Sequence, residues 1–216
     1  FIVIGDKKTP SATGAFCRDL GRRHPYQFMF MSVEDQESFL QDYPELKGHL
    51  PYNSIQRRNI GMLLAYLQGA DLLITVDDDN FADVDDFVGH HSRVGCTTDI
   101  EVFSSSDGWL NVCDFLIEEQ GYPFYHRGFP LEARLVDRPR VTSEVSSGTI
   151  VVNAGLWLGQ PDIDAVTRIT WPVNVTGFKR RKNFAVGVGT WSPFNSQNTA
   201  LARHSLPAYF LSPQIG

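Results

Sequence analysis

No apolar run in the 216-residue sequence approaches the roughly 20 residues that a helix needs to cross a bilayer, which excludes a helical membrane protein. Basic residues are scarce as well. Lys plus Arg number 19 against 25 for Asp plus Glu, a net charge of −6. A nucleic-acid binder ordinarily carries the opposite imbalance, because phosphate neutralisation supplies much of its affinity. Cysteines stop at three, Cys17, Cys96 and Cys113, without CxxC spacing. Neither a disulfide framework nor a zinc site is built from such a set, and the simplest reading is small buried thiols in a reducing cytoplasm. Internal repeats and low-complexity linkers are lacking too. With 42 % hydrophobic and 20 % charged residues, disorder is excluded. The chain opens at Phe1 with no Met and no signal peptide, and stops at Gly216 without a closing helix. Both ends read as limits of a longer protein.

What is present is a regular alternation. A chain this long sustains one core without staples, and residues 1–216 read as a single domain with two halves. In the half spanning about residues 1–95, Phe1–Ile4 reads as a buried strand, Ser11–Arg23 as a helix and Gln27–Val33 as a second strand. Asp35–Asp42 reads as a short helix and Pro44–Pro51 as a loop. Ser54–Gln68 is the clearest helix: Ile55, Ile60, Leu63, Leu64 and Leu67 recur at three-to-four spacing, and Gly69 stops it. Leu72–Val76 is then an apolar strand. This is βαβαβ punctuation, which predicts an α/β fold with a Rossmann-type parallel nucleotide-binding sheet. From about residue 96 to 216 turn residues multiply and short strands such as Thr149–Val152 appear, as in an α+β half.

The strand Leu72–Val76 runs into Asp77-Asp78-Asp79. Adjacent carboxylates repel, so they need a reason beyond packing. Ligands of open α/β sheets bind outside the carboxyl ends of the strands. Strand alternation would point Asp77 and Asp79 the same way, where two hard oxygen donors suit a divalent cation bridging a diphosphate. The alternative is a solvated acidic turn. Asp83, Asp85 and Asp86 read as a helix start favoured by the dipole. Gly5-Asp6, after the first strand, adds Asp6 as a nucleotide contact. Arg57 and Arg58 sit near a helix start, where positive charge is unfavourable. Each is either a surface arginine or, more readily for Arg58, a bidentate partner of phosphate or of the acidic triplet. His126 reads as a loop histidine or a base. In His90-His91 neighbouring side chains point apart, so at most one is a ligand. Arg127 and Arg134 flank the turn Gly128-Phe129-Pro130. Trp157 reads most simply as core, with an aromatic wall of a sugar site as the other reading, and Asp162 and Asp164 as helix caps or proton shuttles. Asn195 and Asn198 supply amides for hydroxyl recognition or an Asx-rich turn.

Taken together these residues resemble the reversibly glycosylated polypeptides, the plant UDP-arabinopyranose mutases. The likeness runs through Arg58-x-x-Gly61, Asp77-Asp78-Asp79, Arg127-Gly128-Phe129-Pro130 with Arg134, Gly155-Leu156-Trp157-Leu158-x-x-Pro161-Asp162-x-Asp164-Ala165 and Gly189-Thr190 through Asn198-x-Ala200. It closes at Pro207-Ala208-Tyr209-Phe210. The segment Leu50 through Gly61 also looks like the plant STELLO-type glycosyltransferases.

The resemblance implies a GT-A glycosyltransferase-like fold and Mn²⁺ or Mg²⁺ on Asp77 and Asp79. It implies nucleotide contacts from Asp6, Arg58, Asp77 and Asp78, and a UDP- or GDP-sugar as the partner. Arg134 falls where the family carries its sugar reversibly, with Arg127, Asp162 and Asp164 as further catalytic candidates and Trp157, Asn195 and Asn198 around the sugar. Some bacterial members of the family it resembles act on GDP-sugars in antibiotic biosynthesis, which keeps guanine among the expected bases. Asn80 stands where the plant pattern has Cys, and the family's Asp-Asp-x-Trp segment follows the point where this chain ends. The expected activity is a flavin-independent, metal-dependent pyranose–furanose mutase, located in the cytoplasm, and a homo-oligomer is compatible with it. The alternative is a GT-A glycosyltransferase using the same donor on a separate acceptor.

Overall fold

The computed structural model describes residues 1–135, 139–180 and 182–212. They form two compact units: Phe1–Leu73 with the C-terminal residues from Ala202, and Ile74–Leu201. This division falls earlier in the chain than the change of composition near residue 95. No helix among the described residues is long and apolar enough to cross a membrane.

In the first unit strand β1 (Ile2–Ile4) pairs in parallel with β2 (Met29–Met31), Ile2 opposite Met29. Helix α1 (Thr13–Arg23) joins them. Helix α2 (Val33–Phe39) starts on Ser32, whose hydroxyl accepts the Asp35 amide while the Asp35 carboxylate accepts from the Ser32 backbone. That reciprocal pair satisfies donors a helix start otherwise leaves open. The expected loop at Pro44–Pro51 is instead opened by a short helix, α3 (Pro44–Gly48). Pro44 occupies its first turn, where the missing N–H costs nothing and the ring pre-sets φ. The predicted helix from Ser54 begins as a 3₁₀ turn, Ile55–Arg57, and becomes α4 at Arg58–Leu67. Gly69, at φ 81°, ends it in the left-handed region that suits glycine.

The core of this unit is Leu40, Leu50, Ile60 and Leu64, with Ile2, Ile4 and Met31 against it. Two fully buried polar side chains cross the same region. Gln36 donates to the carbonyls of Gly5 (2.7 Å) and Met31 (2.8 Å), and its Oε1 accepts from Arg57 Nε at 2.8 Å. Arg57 also donates to the Leu50 carbonyl at 3.2 Å and is 3 % exposed. The surface reading of Arg57 is therefore corrected. Its guanidinium links α2, the Leu50 turn and α4 from inside. Asn59 pairs with the backbone of Leu211 in both directions, at 2.9 and 3.0 Å, which ties the C-terminal segment to α4.

Strand β3 (Leu72–Val76) leads into the second unit. Its predicted place in a parallel sheet is corrected. No described ladder joins it to β1 or β2, and its neighbour is β10 (Asn198–Ala202), followed by β7 (Val152–Ala154). Asp71 pairs with Arg203 and Thr75 with Thr199, so numbering runs in opposite directions along the two strands. Ladder β7–β10 is antiparallel as well, Thr199 opposite Ala154. A short apolar run marks a buried strand, but it does not encode the direction of its partner.

Elsewhere in this unit β4 (Thr97–Ser105) lies between β6 (Val141–Thr149, antiparallel) and β9 (Phe184–Val186, parallel). Strand β5 (Leu116–Glu118) pairs with β8 (Val175–Phe178). The strand expected at Thr149–Val152 is in fact the junction where β6 ends and β7 begins. Short helices α5 (Leu131–Arg134) and α6 (Ala165–Thr170) complete the set. No helix starts at Asp83–Asp86. The segment is bend and turn, and Asp86 accepts the Gly89 amide at 2.9 Å at the entry to a 3₁₀ turn, Gly89–His91. Cys113, Leu116, Phe124, Trp157, Ile163 and Val175 form the larger core, with Phe103, Leu110 and Val112 in a second cluster.

Arg57→Ala removes the donor of a buried acceptor pair and leaves Gln36 Oε1 and the Leu50 carbonyl unpaired. It should lower unfolding free energy by about 2–4 kcal/mol in urea denaturation. A loss below about 1 kcal/mol would place Arg57 among ordinary surface residues.

Candidate functional site

The acidic triplet lies in a turn directly after β3. Asn80 donates its backbone N–H to the Asp77 carbonyl at 3.3 Å, and its side chain donates to Asp79 Oδ1 at 3.2 Å. Asp77 is half-buried, while Asp78 and Asp79 are exposed. The alternation argument for Asp77 and Asp79 is corrected on this ground, since the backbone is no longer extended there and period two does not apply. Another feature of the fold brings ligands toward the triplet. Continuing the register set by Thr75 and Thr199 carries Asp77 level with Gln197, so the acidic turn and the amide-rich segment Asn195–Asn198 share one end of the sheet.

Asn198 is held from behind. His91, 2 % exposed, lies 2.9 Å from Asn198 Oδ1 through Nε2 and 3.1 Å from Asn153 Nδ2 through Nδ1. An amide oxygen only accepts and an amide nitrogen only donates, so Nε2 carries the proton and Nδ1 accepts. Burial holds His91 below its ordinary pKa, against the Asn198 hydrogen bond. With both nitrogens taken by amides, His91 is an orienting residue rather than the single metal ligand allowed for His90-His91. Gly155 completes the arrangement: a Cβ there would stand 2.1 Å from Asn198 Nδ2.

Asn195 reaches the other way. Its Nδ2 donates to Asp162 Oδ2 at 2.8 Å, and Arg127 NH2 lies 3.0 Å and 3.1 Å from the two Asp162 oxygens. Asp162 is 7 % exposed, whereas the Arg127 side chain is 63 % exposed and forms the outer edge of the cluster. Behind it His126 is buried, donating from Nδ1 to the Arg127 carbonyl at 2.6 Å, with Nε2 unpartnered. Burial lowers its pKa too. Its ring lies 4.9 Å from that of Trp157, which is 8 % exposed within the main core. Trp157 therefore has no open face for a sugar, and its candidacy as a sugar-binding aromatic is corrected to core.

Arg134 and Asp164 are a pair. Arg134 NH1 meets Asp164 Oδ2 at 2.8 Å, NH2 donates to the Phe129 carbonyl at 3.2 Å, and the guanidinium lies over the Tyr125 ring at 5.0 Å. Asp164 caps α6, accepting the Thr167 amide and hydroxyl, each at 2.9 Å. Burial opposes its ionisation, but the Thr167 amide and the Arg134 guanidinium outweigh it and hold the carboxyl at about 2. Both side chains are engaged in fixing the Gly128-Phe129-Pro130 turn against α6.

Asp6 and Arg58 belong to the first unit. Asp6 accepts the backbone amides of Lys7 (2.7 Å) and Asn53 (2.6 Å), which fastens the end of β1 to the Tyr52-Asn53 turn. The half-buried Arg58 lies within electrostatic range of Tyr209. Sequence reasoning missed Arg57, His91 and Asn153. An arginine followed by an apolar helix, or a histidine beside Asx residues, has too many innocuous readings to stand out.

Among the described residues no group of three or more His, Cys, Asp or Glu side chains converges as a metal cage. The donor chemistry of Asp77 and Asp79 nonetheless fits a hard divalent ion, because Mg²⁺ and Mn²⁺ are commonly held by one or two carboxylates completed by substrate phosphates.

No family profile matches the chain. Over 183 residues, 79 % of the chain, it is 28 % identical to probable glycosyltransferase STELLO2 of Arabidopsis thaliana, and the match covers 23 % of that protein. Over 163 residues, 70 % of the chain, it is also 28 % identical to probable glycosyltransferase STELLO1 of the same plant, covering 21 % of it. The matched chain thus spans under a quarter of these curated relatives. The similarity is to glycosyltransferases and does not single out mutases.

Two pH windows follow from the site. Below the ordinary histidine value of about 6.5 the unfolded chain protonates at His91 and His126 while the folded protein resists, so stability falls as pH drops through that region. The Asp164 contribution, present above about pH 4, is lost as pH falls toward 2. Urea midpoints measured between pH 8 and pH 5 should decline for the wild type and decline less steeply in His91→Gln, where His126 alone remains. Equal slopes would show that folding does not lower the His91 pKa.

Proposed function

We propose that the chain is the donor-binding part of a metal-dependent glycosyltransferase of GT-A type acting on a nucleotide sugar. The observation that carries this reading is the shared sheet end, where the acidic turn Asp77–Asp79 meets the Asn195–Asn198 segment. The similarity to two plant glycosyltransferases supports it. Asp77 and Asp79 would hold Mn²⁺ or Mg²⁺ together with the diphosphate, and the ion would supply positive charge to the leaving nucleotide.

The protein's own residues then divide the remaining tasks. Asn198 offers its amide nitrogen to sugar hydroxyls, Asn195 orients Asp162 through an amide whose hydrogens go to Asp162 and Gln197, and the His91–Asn153 relay keeps the Asn198 oxygen occupied so that one amide orientation persists. Arg127, exposed beside Asp162, adds positive charge at the rim. Asp162 is the acceptor for an incoming hydroxyl proton. The hydroxyl oxygen forms its bond to the anomeric carbon, the anomeric carbon–phosphate oxygen bond breaks, the proton passes to Asp162, and the nucleoside diphosphate departs. A mutase reading would assign the reacting sugar to Arg134, but that guanidinium is held by Asp164 and the Phe129 carbonyl. The transferase is the better supported of the two.

Purified protein incubated with UDP- and GDP-sugars and Mn²⁺, with and without glycan acceptors, should release nucleoside diphosphate in an acceptor-dependent manner and lose activity in EDTA. A furanosyl nucleotide formed without acceptor would overturn the transferase in favour of the mutase. Full activity after chelation would remove the metal.

Asp79→Asn gives a cleaner test of the triplet, because Asp79 is exposed and its loss relieves repulsion in the turn. Mn²⁺-dependent nucleotide affinity should fall by about tenfold or more in calorimetry, with an unchanged unfolding midpoint. Unchanged affinity would take Asp79 out of the site.

A further inference from the structure

A cleft of about 240 Å³ opens in the second unit beside β5, lined by none of the residues of the acidic triplet. Its floor is apolar and shut: Cys113, Leu116 and Phe124 are each 5 % exposed or less. Its rim carries Asp114, Tyr122 and Lys179.

The rim is built. Asn111 Nδ2 donates to both Asp114 Oδ1 (2.9 Å) and the Phe124 carbonyl (3.0 Å), which sets the carboxylate against the floor. Glu118 accepts the backbone amides of Gln120 and Tyr122, at 2.9 and 2.8 Å, and so fixes the turn that presents Tyr122. The Tyr122 ring is stacked on Trp171, centroids 5.5 Å apart at 24°. The Lys179 amide donates to the Phe115 carbonyl at 2.8 Å, which anchors Lys179 next to Asp114. Burial raises the Asp114 carboxyl above its ordinary value, opposed by the Lys179 charge and the Asn111 hydrogen bond. Cys113 on the floor, its thiol pushed up to about 12 chiefly by burial, also lies within electrostatic range of Arg134 and Asp162.

We propose that this cleft binds one neutral sugar ring, the terminal residue of an acceptor glycan. Its volume lies just under the roughly 300 Å³ at which drug-sized pockets begin, which suits a single pyranose. Asp114 and Lys179 line the space together with a second carboxylate, Glu118, which is already taken by the Gln120 and Tyr122 amides. A carboxylate and an ammonium at one space admit hydroxyl groups, which donate to one and accept from the other, whereas an anion such as phosphate meets both carboxylates. Tyr122 offers a flat face to the C–H side of a ring, held in place by Trp171. Naming the ring an acceptor rests on the transferase reading. Its binding does not.

Saturation-transfer NMR and calorimetry on the whole chain, with methyl glucosides, galactosides and mannosides and with inorganic phosphate, test the site. At least one neutral pyranoside should bind the wild type. Asp114→Asn and Lys179→Met should each weaken it by about tenfold, the loss of one charge-assisted hydrogen bond, and Tyr122→Ala should abolish the ring's saturation transfer. Asp79→Asn should leave pyranoside binding unchanged. No pyranoside binding by folded wild type, a preference for phosphate, or wild-type affinity in both Asp114→Asn and Lys179→Met would overturn the proposal. Pyranoside binding that responds to these variants in a protein that binds no nucleotide would support the cleft while removing the transferase reading.

Discussion

Thr75 and Thr199, 124 residues apart, meet through a hydroxyl donating to a carbonyl at 3.2 Å, and the placing of the acidic turn beside the amide-rich segment follows from that strand contact. It makes β10 the antiparallel neighbour of β3 and β7 the neighbour of β10. The acidic turn after β3 then lies level with the segment before β10, and Asn198 comes within reach of His91. Such a contact forms only after a long loop has closed, which carries a large entropic cost that the buried sheet must offset. Thr199 is fully buried and Thr75 nearly so, so the pairing is made in low dielectric, where an unmade hydrogen bond is most expensive.

A second constraint is the handling of charge. Two arginines that leave solvent are each given partners: Arg57 has Gln36 and the Leu50 carbonyl, and Arg134 has Asp164 and the Phe129 carbonyl. Removing one partner of such a pair strands a buried charge, which is why these contacts stabilise local geometry even where the ion pair contributes little net energy. Arg127 differs. It is paired with the buried Asp162 yet remains largely exposed itself, and this separates it chemically from Arg134.

The histidines follow the same logic in neutral form. His91 joins two amides, and His126 donates to one carbonyl beneath Arg127. Burial disfavours their charged state, so each serves as a fixed donor–acceptor element instead of a cation. Asn198 and Arg127 are both supported from below by a neutral ring, which leaves net charge at this end of the sheet to the carboxylates and Arg127.

The apolar spacing of Ile60 and Leu64, the runs Ile2–Ile4 and Leu72–Val76, and Gly69 as a stop determined by themselves that these segments are helix, strand and turn, because hydrophobic period and glycine's positive φ are local properties. The acidic triplet was legible for the same reason: three carboxylates after an apolar run stand out in any reading. Strand direction was not legible, since an apolar strand looks the same whichever way its neighbour runs. Nor was the difference between Arg57, buried at 3 % exposure, and Arg58 beside it, or between Trp157 as core and as a sugar wall. Those assignments depend on which distant residue arrives at the position. Only the tertiary structure decided that Gln36 meets Arg57, that Asp164 engages Arg134, and that His91 meets Asn198, because the free energy of each contact belongs to a pair that the chain brings together only when it folds.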